Sequence, residues 1–218
     1  MDATEGLAIA VKSFDLQAVW EDTLARYPYL TPAAPFKTIP LYAIYNNYLP
    51  TLRPVRNLME LGIYQGGSLI LWREALRCRV IGIDLASPAP TMPAVERYLS
   101  ESGDDGQVKL FWKTDQADEK ALRSIVAGCE GPLDIVVDDA SHLYWPTRRS
   151  FEILFPLVRP GGAYFIEDWG AGILPEFQTP EGTIDQVLKD LLDWIRDGKH
   201  SIESMFVNAA CAVIRKAE

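Results

Sequence analysis

The 218-residue chain has no surplus of positive charge, and that absence narrows its partners first. With 21 Lys and Arg against 30 Asp and Glu, the formal charge is -9 and the pI is near 4.8. No basic stripe is available to displace counterions from a polyanion, which excludes nucleic acid as the natural partner. An acidic field favours cationic ligands and divalent metals instead. Cysteine is also scarce. Cys78, Cys129 and Cys211 are odd in number, widely spaced and in no metal-ligand pattern, so they read as reduced thiols of a cytoplasmic protein. No apolar run approaches the length of a membrane span, and the opening "MDATEGLAIAVKSF" lacks a positive segment leading into an apolar one. The expectation is a soluble, cytoplasmic chain with no membrane partner. Internal repeats and low-complexity segments are missing too.

What is present is a globular composition, 48% hydrophobic and 11% aromatic, enough for a sizeable core. We read a single domain overall, with an N-terminal helix and substrate lid segment over residues 1–50 and a core over 51–218. Leu16, Val19, Trp20 and Leu24 recur at helical spacing within "DLQAVWEDTLARY". The following "PYLTPAAPFKTIP" is a Pro-rich, apolar loop of the kind that forms lids. A short helix around "LYAIYNNYL" then presents Tyr42, Tyr45 and Tyr48.

From residue 55 onward short apolar strands alternate with helices: "VRNLMEL", "GGSLILWREAL", "RVIGIDL", "MPAVERYLSES", "VKLFWKT", "EKALRSIVAG", "LDIVVDD", "PTRRSFEILFPLV" and "AYFIEDW". This rhythm predicts an α/β fold, a mostly parallel Rossmann-like sheet with helices on both faces and ligands outside the carboxyl ends of its strands. The tail departs from it. After the helical "IDQVLKDLLDWIRD", "SIESMFVNA" and "CAVIRK" read as an antiparallel C-terminal hairpin.

Three polar strand ends in succession follow the pattern of a nucleoside site. "MELGIYQGGS" ends its strand with Glu60 and turns on Gly62, Gly66 and Gly67, in GxxxGG spacing rather than GxGxxG and without the Lys-Ser/Thr of a phosphate loop. "VIGIDL" ends in Asp84, suited to two ribose hydroxyls, and "KTDQAD" offers Asp115 and Gln116 to a purine. Asp84 as a turn cap and Asp115 as a helix N-cap are the plainer alternatives. Together the three ends point to an adenosine-type ligand held without phosphate recognition.

The chain here resembles a class I S-adenosylmethionine-dependent methyltransferase. Within that class "ELGIYQGGS", "DDASH" and "SFEILFPLVRPGGAYFIEDW" are similar to the metal-dependent sugar O-methyltransferases of the macrocin and mycinamicin type, in the family named for cephalosporin hydroxylase. The resemblance covers about residues 55 to 215. It implies S-adenosyl-L-methionine and Mg2+ as cofactors, with the methyl donor held by Glu60, Gly62, Tyr64, Gly66, Ser68, Asp84, Asp115, Gln116 and Asp138.

"DIVVDDASH" puts two carboxylates side by side at the end of a buried strand, an arrangement that resists desolvation. If "DIVVDD" and "AYFIEDW" are parallel neighbours, Asp138, Asp139, Glu167 and Asp168 meet at one edge, about 5 Å apart by strand spacing. Four carboxylates cannot all ionise there unaided, so either some are protonated or a cation sits among them. Oxygen donors without cysteine suit a hard ion such as Mg2+. The alternative is that these acids cap helices and pair with Arg148 and Arg149. Adjacent strand residues face opposite ways, so Asp138 and Asp139 need not share a role. The resemblance implies Asp139, Glu167 and Asp168 as metal ligands, Asp139 also as a catalytic group, and Asp138 nearer the cofactor. It also implies His142 as the general base, whereas His200 reads as a surface imidazole.

Tyr64, Tyr144, Trp145 and Trp169 fall at or just after strand ends, where aromatic faces can stack on a sugar. Phe151, Leu154, Phe155, Val158 and Trp72 read as core. Tyr144, Trp145, Trp169 and Lys37 are the expected acceptor-site residues, from the Pro-rich segment, the "DDASHLYW" turn and the "WGAGILPEFQTPEGT" loop, with completion by a second subunit of a homo-oligomer as a further option. The resulting expectation is an SAM- and Mg2+-dependent O-methyltransferase acting on a sugar hydroxyl of a small-molecule glycoside or an oligosaccharide, in secondary metabolism or polysaccharide biosynthesis. A mannoside on the route to a methylated polysaccharide is the narrower form. A catechol or phenol O-methyltransferase and a non-catalytic SAM-binding partner protein are the alternatives.

Overall fold

The computed structural model describes residues 14–104 and 106–218, so most of the opening stretch quoted above lies outside the described residues. The chain builds one seven-stranded sheet in the order β3-β2-β1-β4-β5-β7-β6. Strands β1 (Asn57–Leu61), β2 (Arg79–Asp84), β3 (Val108–Trp112), β4 (Leu133–Asp138) and β5 (Val158–Glu167) are mutually parallel, while β7 (Cys211–Lys216) runs antiparallel to both β5 and β6 (Ile202–Val207). The C-terminal hairpin therefore lies where the sequence placed it. β5 starts five residues earlier than the apolar run "AYFIEDW" suggested, because "VRPGG" continues the strand past a register irregularity opposite Leu133 and Ile135.

Alternation along each strand sorts the side chains onto two faces. Leu58, Val80, Ile135, Val137 and Phe165 turn to one face and pack under α1 (Leu16–Arg26), α2 (Ile39–Tyr48), α3 (Gly67–Leu76) and α4 (Met92–Glu101). Met59, Leu61, Ile81, Val136, Tyr164 and Ile166 turn to the other, under α5 (Glu119–Ala127), α6 (Tyr144–Leu154) and α7 (Asp185–Arg196). Trp72, Phe151, Leu154, Phe155 and Val158 all lie in these cores, as their spacing predicts.

The Pro-rich segment is more ordered than a plain loop. Pro28–Ala33 form a 3-10 turn, and the residues behind it, which turn where the Lys37 N–H donates to the Pro35 carbonyl at 2.9 Å, run across the start of α3. Gly67 makes that crossing possible, since a Cβ there would lie 1.8 Å from the Ala33 carbonyl oxygen and 2.5 Å from the Pro35 nitrogen. Gly62, at φ +95°, does the same for the β4 exit, whose Asp139 carbonyl oxygen would stand 2.2 Å from a Cβ. Both close approaches bring chain onto the carboxyl ends of β1, β4 and β5. There the strand order reverses direction about β1, the place where open α/β sheets leave a crevice.

Candidate active site

A cleft of about 900 Å³ opens at that reversal. Its walls are the turn after β1 (Gly62, Tyr64), the ends of β2 and β3 (Asp84, Asp115, Gln116), the turn after β4 (Asp139 to Leu143) and Asp168, with Phe36 closing one side. The Asp84 carboxylate braces the site from within: Oδ2 accepts the N–H groups of Ile63 (2.9 Å) and Tyr64 (3.0 Å), and Oδ1 accepts that of Ala86 (2.8 Å). Asp115 accepts the Ala117 N–H at 2.8 Å, while the N-cap of α5 is Asp118, so Asp115 is a turn residue on the cleft wall and not a helix cap. Tyr64 is 63% exposed, and its ring meets that of Phe36 edge-on at 5.3 Å.

The period-two rule separates the acids. Glu60, Asp139 and Glu167 fall on the face of Leu58, Val137 and Phe165, and Asp138 falls on the opposite one. Asp138 is accordingly buried away from the cleft, accepting hydrogen bonds from Ser150 Oγ (2.5 Å), Tyr164 Oη (2.8 Å) and Gln116 Nε2 (3.1 Å). Burial pushes its carboxyl up to about 6 against those hydroxyl donors. The structure thus places Asp138 in an internal network behind the cleft wall, joined to that wall through Gln116. Gln116 is spent in the same network, since its Oε1 accepts the Ser141 N–H at 3.0 Å. That bond fixes the turn in which His142 adopts φ +53°.

On the other face the acids meet a cation that the sequence reading assigned elsewhere. Lys37, expected in the acceptor wall, turns inward instead: its side chain is 2% exposed, and Nζ donates to Asp139 Oδ2 (2.8 Å) and Glu167 Oε1 (2.7 Å) and stands 3.7 Å from Glu60 Oε1. Burial works against the ammonium, but Glu167, Asp139 and Glu60 outweigh it and hold its pKa well above the usual lysine value. Tyr45 Oη donates to Glu167 Oε1 at 2.5 Å. Burial and the neighbouring Asp139 raise the Glu167 carboxyl, and burial pushes Glu60 up to about 7 despite Lys37. Glu60 Oε2 accepts from Ser68 Oγ at 2.8 Å. Glu60, Ser68 and Gly66 therefore support the turn from behind and do not form the cleft wall.

The open side of the cluster is formed by Asp139, His142 and Asp168, each offering a ligand atom within 4.8 Å of the others. Asp168 reaches this position from a left-handed backbone (φ +48°) just past β5, and His142 Nε2 is 3.9 Å from Asp139 Oδ1. Burial, then Asp139, raises the Asp168 carboxyl. Arg148 and Arg149 take no part, pairing with Glu152 and Asp190 and with Glu119 and Glu152 respectively.

The aromatic candidates divide. Trp145 is 52% exposed beside the His142 turn, whereas Tyr144 Oη donates to Asp190 (2.9 Å) and Trp169 Nε1 donates to the Asn208 carbonyl (2.7 Å), both in the scaffold. Phe177, which the sequence did not single out, lies edge-on to His142 at 5.6 Å. Phe36 and Tyr45 are the other additions. Tyr45 belonged to an expected tyrosine face, but nothing local in the sequence marks Phe36 as cleft-lining.

The sheet order, the antiparallel hairpin and the crevice at the β1 reversal define a Rossmann-like, class I methyltransferase fold. Residues 59–169 match the family described as a methyltransferase domain, and the chain belongs to that family. Among curated relatives it is 33% identical over 153 residues to mycinamicin VI 2''-O-methyltransferase of Micromonospora griseorubida, covering 64% of this chain and 35% of that one. It is 36% identical over 166 residues to the 8-demethyl-8-(2-methoxy-alpha-L-rhamnosyl)-tetracenomycin-C 3'-O-methyltransferase of Streptomyces olivaceus, covering 69% of this chain and 39% of that one. Among solved structures it is similar to the MycE methyltransferase of the mycinamycin biosynthetic pathway in complex with Mg, SAH and mycinamycin VI. The TM-score is 0.71 and the identity 28%, over 95% of this chain and 54% of that one. The chain thus spans about half the length of that structure and little more than a third of the two curated relatives. The resemblance to macrocin- and mycinamicin-type enzymes read from the sequence holds.

Proposed function

We propose that the chain transfers a methyl group from S-adenosylmethionine to a sugar hydroxyl of a glycosylated secondary metabolite, with Mg2+ at the strand-end acids. The observation that carries this reading is the meeting of Asp139, His142 and Asp168 at the rim of a cleft large enough for a nucleoside. The named relatives, which methylate sugar-bearing macrolide or tetracenomycin compounds, support the acceptor class. None of them names a mannoside or a polysaccharide, so that narrower expectation has no support.

The residues present fit a divalent ion. Two carboxylates converge beside an imidazole, and Glu167 Oε2 is buried with no hydrogen-bond partner among the described residues. Asp139 and Asp168 would hold the ion, with Glu167 as the third oxygen donor. When bound, it would acidify the acceptor hydroxyl. His142 removes the hydroxyl proton as the oxygen attacks the sulfonium methyl; the C–O bond forms, the C–S bond breaks, and the proton stays on the imidazole. Asp84, held by three backbone N–H groups, keeps further lone pairs for the ribose hydroxyls, and Asp115 borders the adenine side. Apolar wall residues such as Ile83, Leu85 and Ala89, beside Asp84, give the adenosine an apolar surface to lie against. Trp145 and Phe177 supply aromatic surface for the acceptor next to the base.

The test is incubation with methyl-labelled S-adenosylmethionine and a fractionated glycoside extract. Label in a sugar methyl ether, lost in EDTA and restored by Mg2+, is expected. Full transfer in chelator rejects the metal, and transfer only to phenols rejects the acceptor class.

A further inference from the structure

Three acids on one sheet face, Glu60, Asp139 and Glu167, need a counter-charge, and the fold delivers one from a distant segment. Lys37 comes from the strap that Gly67 admits across α3, and its ammonium also sits 5.9 Å from the Trp72 ring centre, inside a wall that leaves it no route to solvent. Its placement divides the acids. Lys37 engages Asp139 through Oδ2 and Glu167 through Oε1, while Asp139 Oδ1 points the other way, toward His142. The inner half of the cluster is thereby balanced in part by the protein itself. The outer half, Asp139 Oδ1 with Asp168, keeps its negative charge.

We propose that Lys37 is a built-in counter-ion that sets the divalent-metal affinity of this site, confining the ion to the outer half and the free Glu167 Oε2, and withholding Glu60 and Glu167 Oε1 from it. This rests on the metal reading given above. An ammonium fixed on an oxygen of a metal-binding carboxylate repels a dication and competes for the same lone pairs, so the site binds more weakly, and more reversibly, than its acid count suggests. Lys37 acts through the acids and is a positioning residue. The orphaned Glu60 Oε1, 3.7 Å from Nζ and without a hydrogen bond, becomes available as soon as the ammonium is gone.

Isothermal calorimetry with MgCl2 alone, on the full chain, tests this without turnover. Lys37→Gln, which retains a donor for the acids, and Lys37→Met, which does not, are both expected to bind Mg2+ at least about tenfold more tightly than wild type, and Lys37→Arg to bind like it. Binding in Lys37→Gln where wild type gives no heat also supports the proposal. Affinity in folded Lys37→Gln equal to or weaker than wild type overturns it. Asp168→Asn separates the two readings: if it abolishes the wild-type heat while the Lys37 variants bind like wild type, the metal site stands and the role of Lys37 falls. No heat from any of the proteins ends both.

Discussion

Replacing Gly67 with Ala sets two effects of opposite sign against each other. Gly67 is the first residue of α3 and lies outside the left-handed region, so backbone preference alone predicts a gain, up to about 1 kcal/mol for Gly to Ala in a helix. The crossing strap predicts a loss. The new Cβ would stand 1.8 Å from the Ala33 carbonyl oxygen, and reaching ordinary contact near 3.4 Å takes a displacement of about 1.6 Å, the difference of the two. The obstacle is backbone on a proline-flanked segment, so no side-chain rotation relieves it. Overpacking of this kind costs about 1–3 kcal/mol. If half the movement reaches Lys37, its 2.7 and 2.8 Å bonds stretch to the limit of hydrogen bonding and weaken as well. With partial relaxation the net expectation is a loss of about 2–3 kcal/mol, or a fall in melting temperature of about 4–12 °C for a chain of this size. Urea unfolding should show a lower midpoint at unchanged slope, and amide exchange should quicken over residues 33–38. A Gly67→Ala protein as stable as wild type, or more so, refutes the close packing of strap on helix.

Three further outcomes follow from the same geometry. His142→Ala should retain S-adenosylhomocysteine binding by calorimetry while methyl transfer falls by about 10²–10⁴; a loss of binding alone would move His142 out of the base role. Gln116→Leu should lower stability by about 1–3 kcal/mol in a thermal melt, because Asp138 loses a donor and the Ser141 N–H its acceptor, and should reduce turnover more than S-adenosylmethionine affinity. Glu74 supplies a pH test. Burial opposes its charge, but the Tyr98 hydroxyl and Arg26 outweigh burial and hold its carboxyl below the usual value. A depressed folded-state pKa contributes stability that is complete above the unfolded value, about 4.5, and is lost as pH falls through the folded one. Urea midpoints of Glu74→Gln should therefore lie below wild type at pH 7 and converge with it toward pH 3; a constant gap down to that pH contradicts the assignment.

The sheet was legible because strands buried on both faces announce themselves: "LDIVVD" carries an unbroken Ile-Val-Val run and is buried at every position. The opposite orientation of Asp138 and Asp139 was legible too, from the pleat. Which of the two faces the cleft was not, since that depends on where α6 lays Ser150 and the neighbouring strand lays Tyr164. Lys37 was read into the acceptor site because it sits among prolines and aromatics; its partners lie 102 and 130 residues further on, and no local pattern signals so long a reach. Asp115 and Asp118 are both plausible caps by type, and the turn geometry decides for Asp118. The convergence of Asp139 and Asp168 was visible as two acidic dipeptides at strand ends, but Asp168 gains its approach from a left-handed backbone that residue identity does not announce.

Phe36 and Lys37 are consecutive, yet the ring borders the strand-end cleft and the ammonium enters the acid cluster. A dipeptide at a tight turn, where the Lys37 N–H donates to the Pro35 carbonyl at 2.9 Å, thus reads two compartments at once, and its phase matters more than its composition. Inserting one residue before Phe36 would move the ring into the slot that now holds Lys37, setting an aromatic group against the carboxylates and taking the ammonium away from Asp139 and Glu167. Length between Gly67's contact and Thr38 is therefore the property of this strap least open to change, while the ring at position 36 can be traded for another apolar group at small loss.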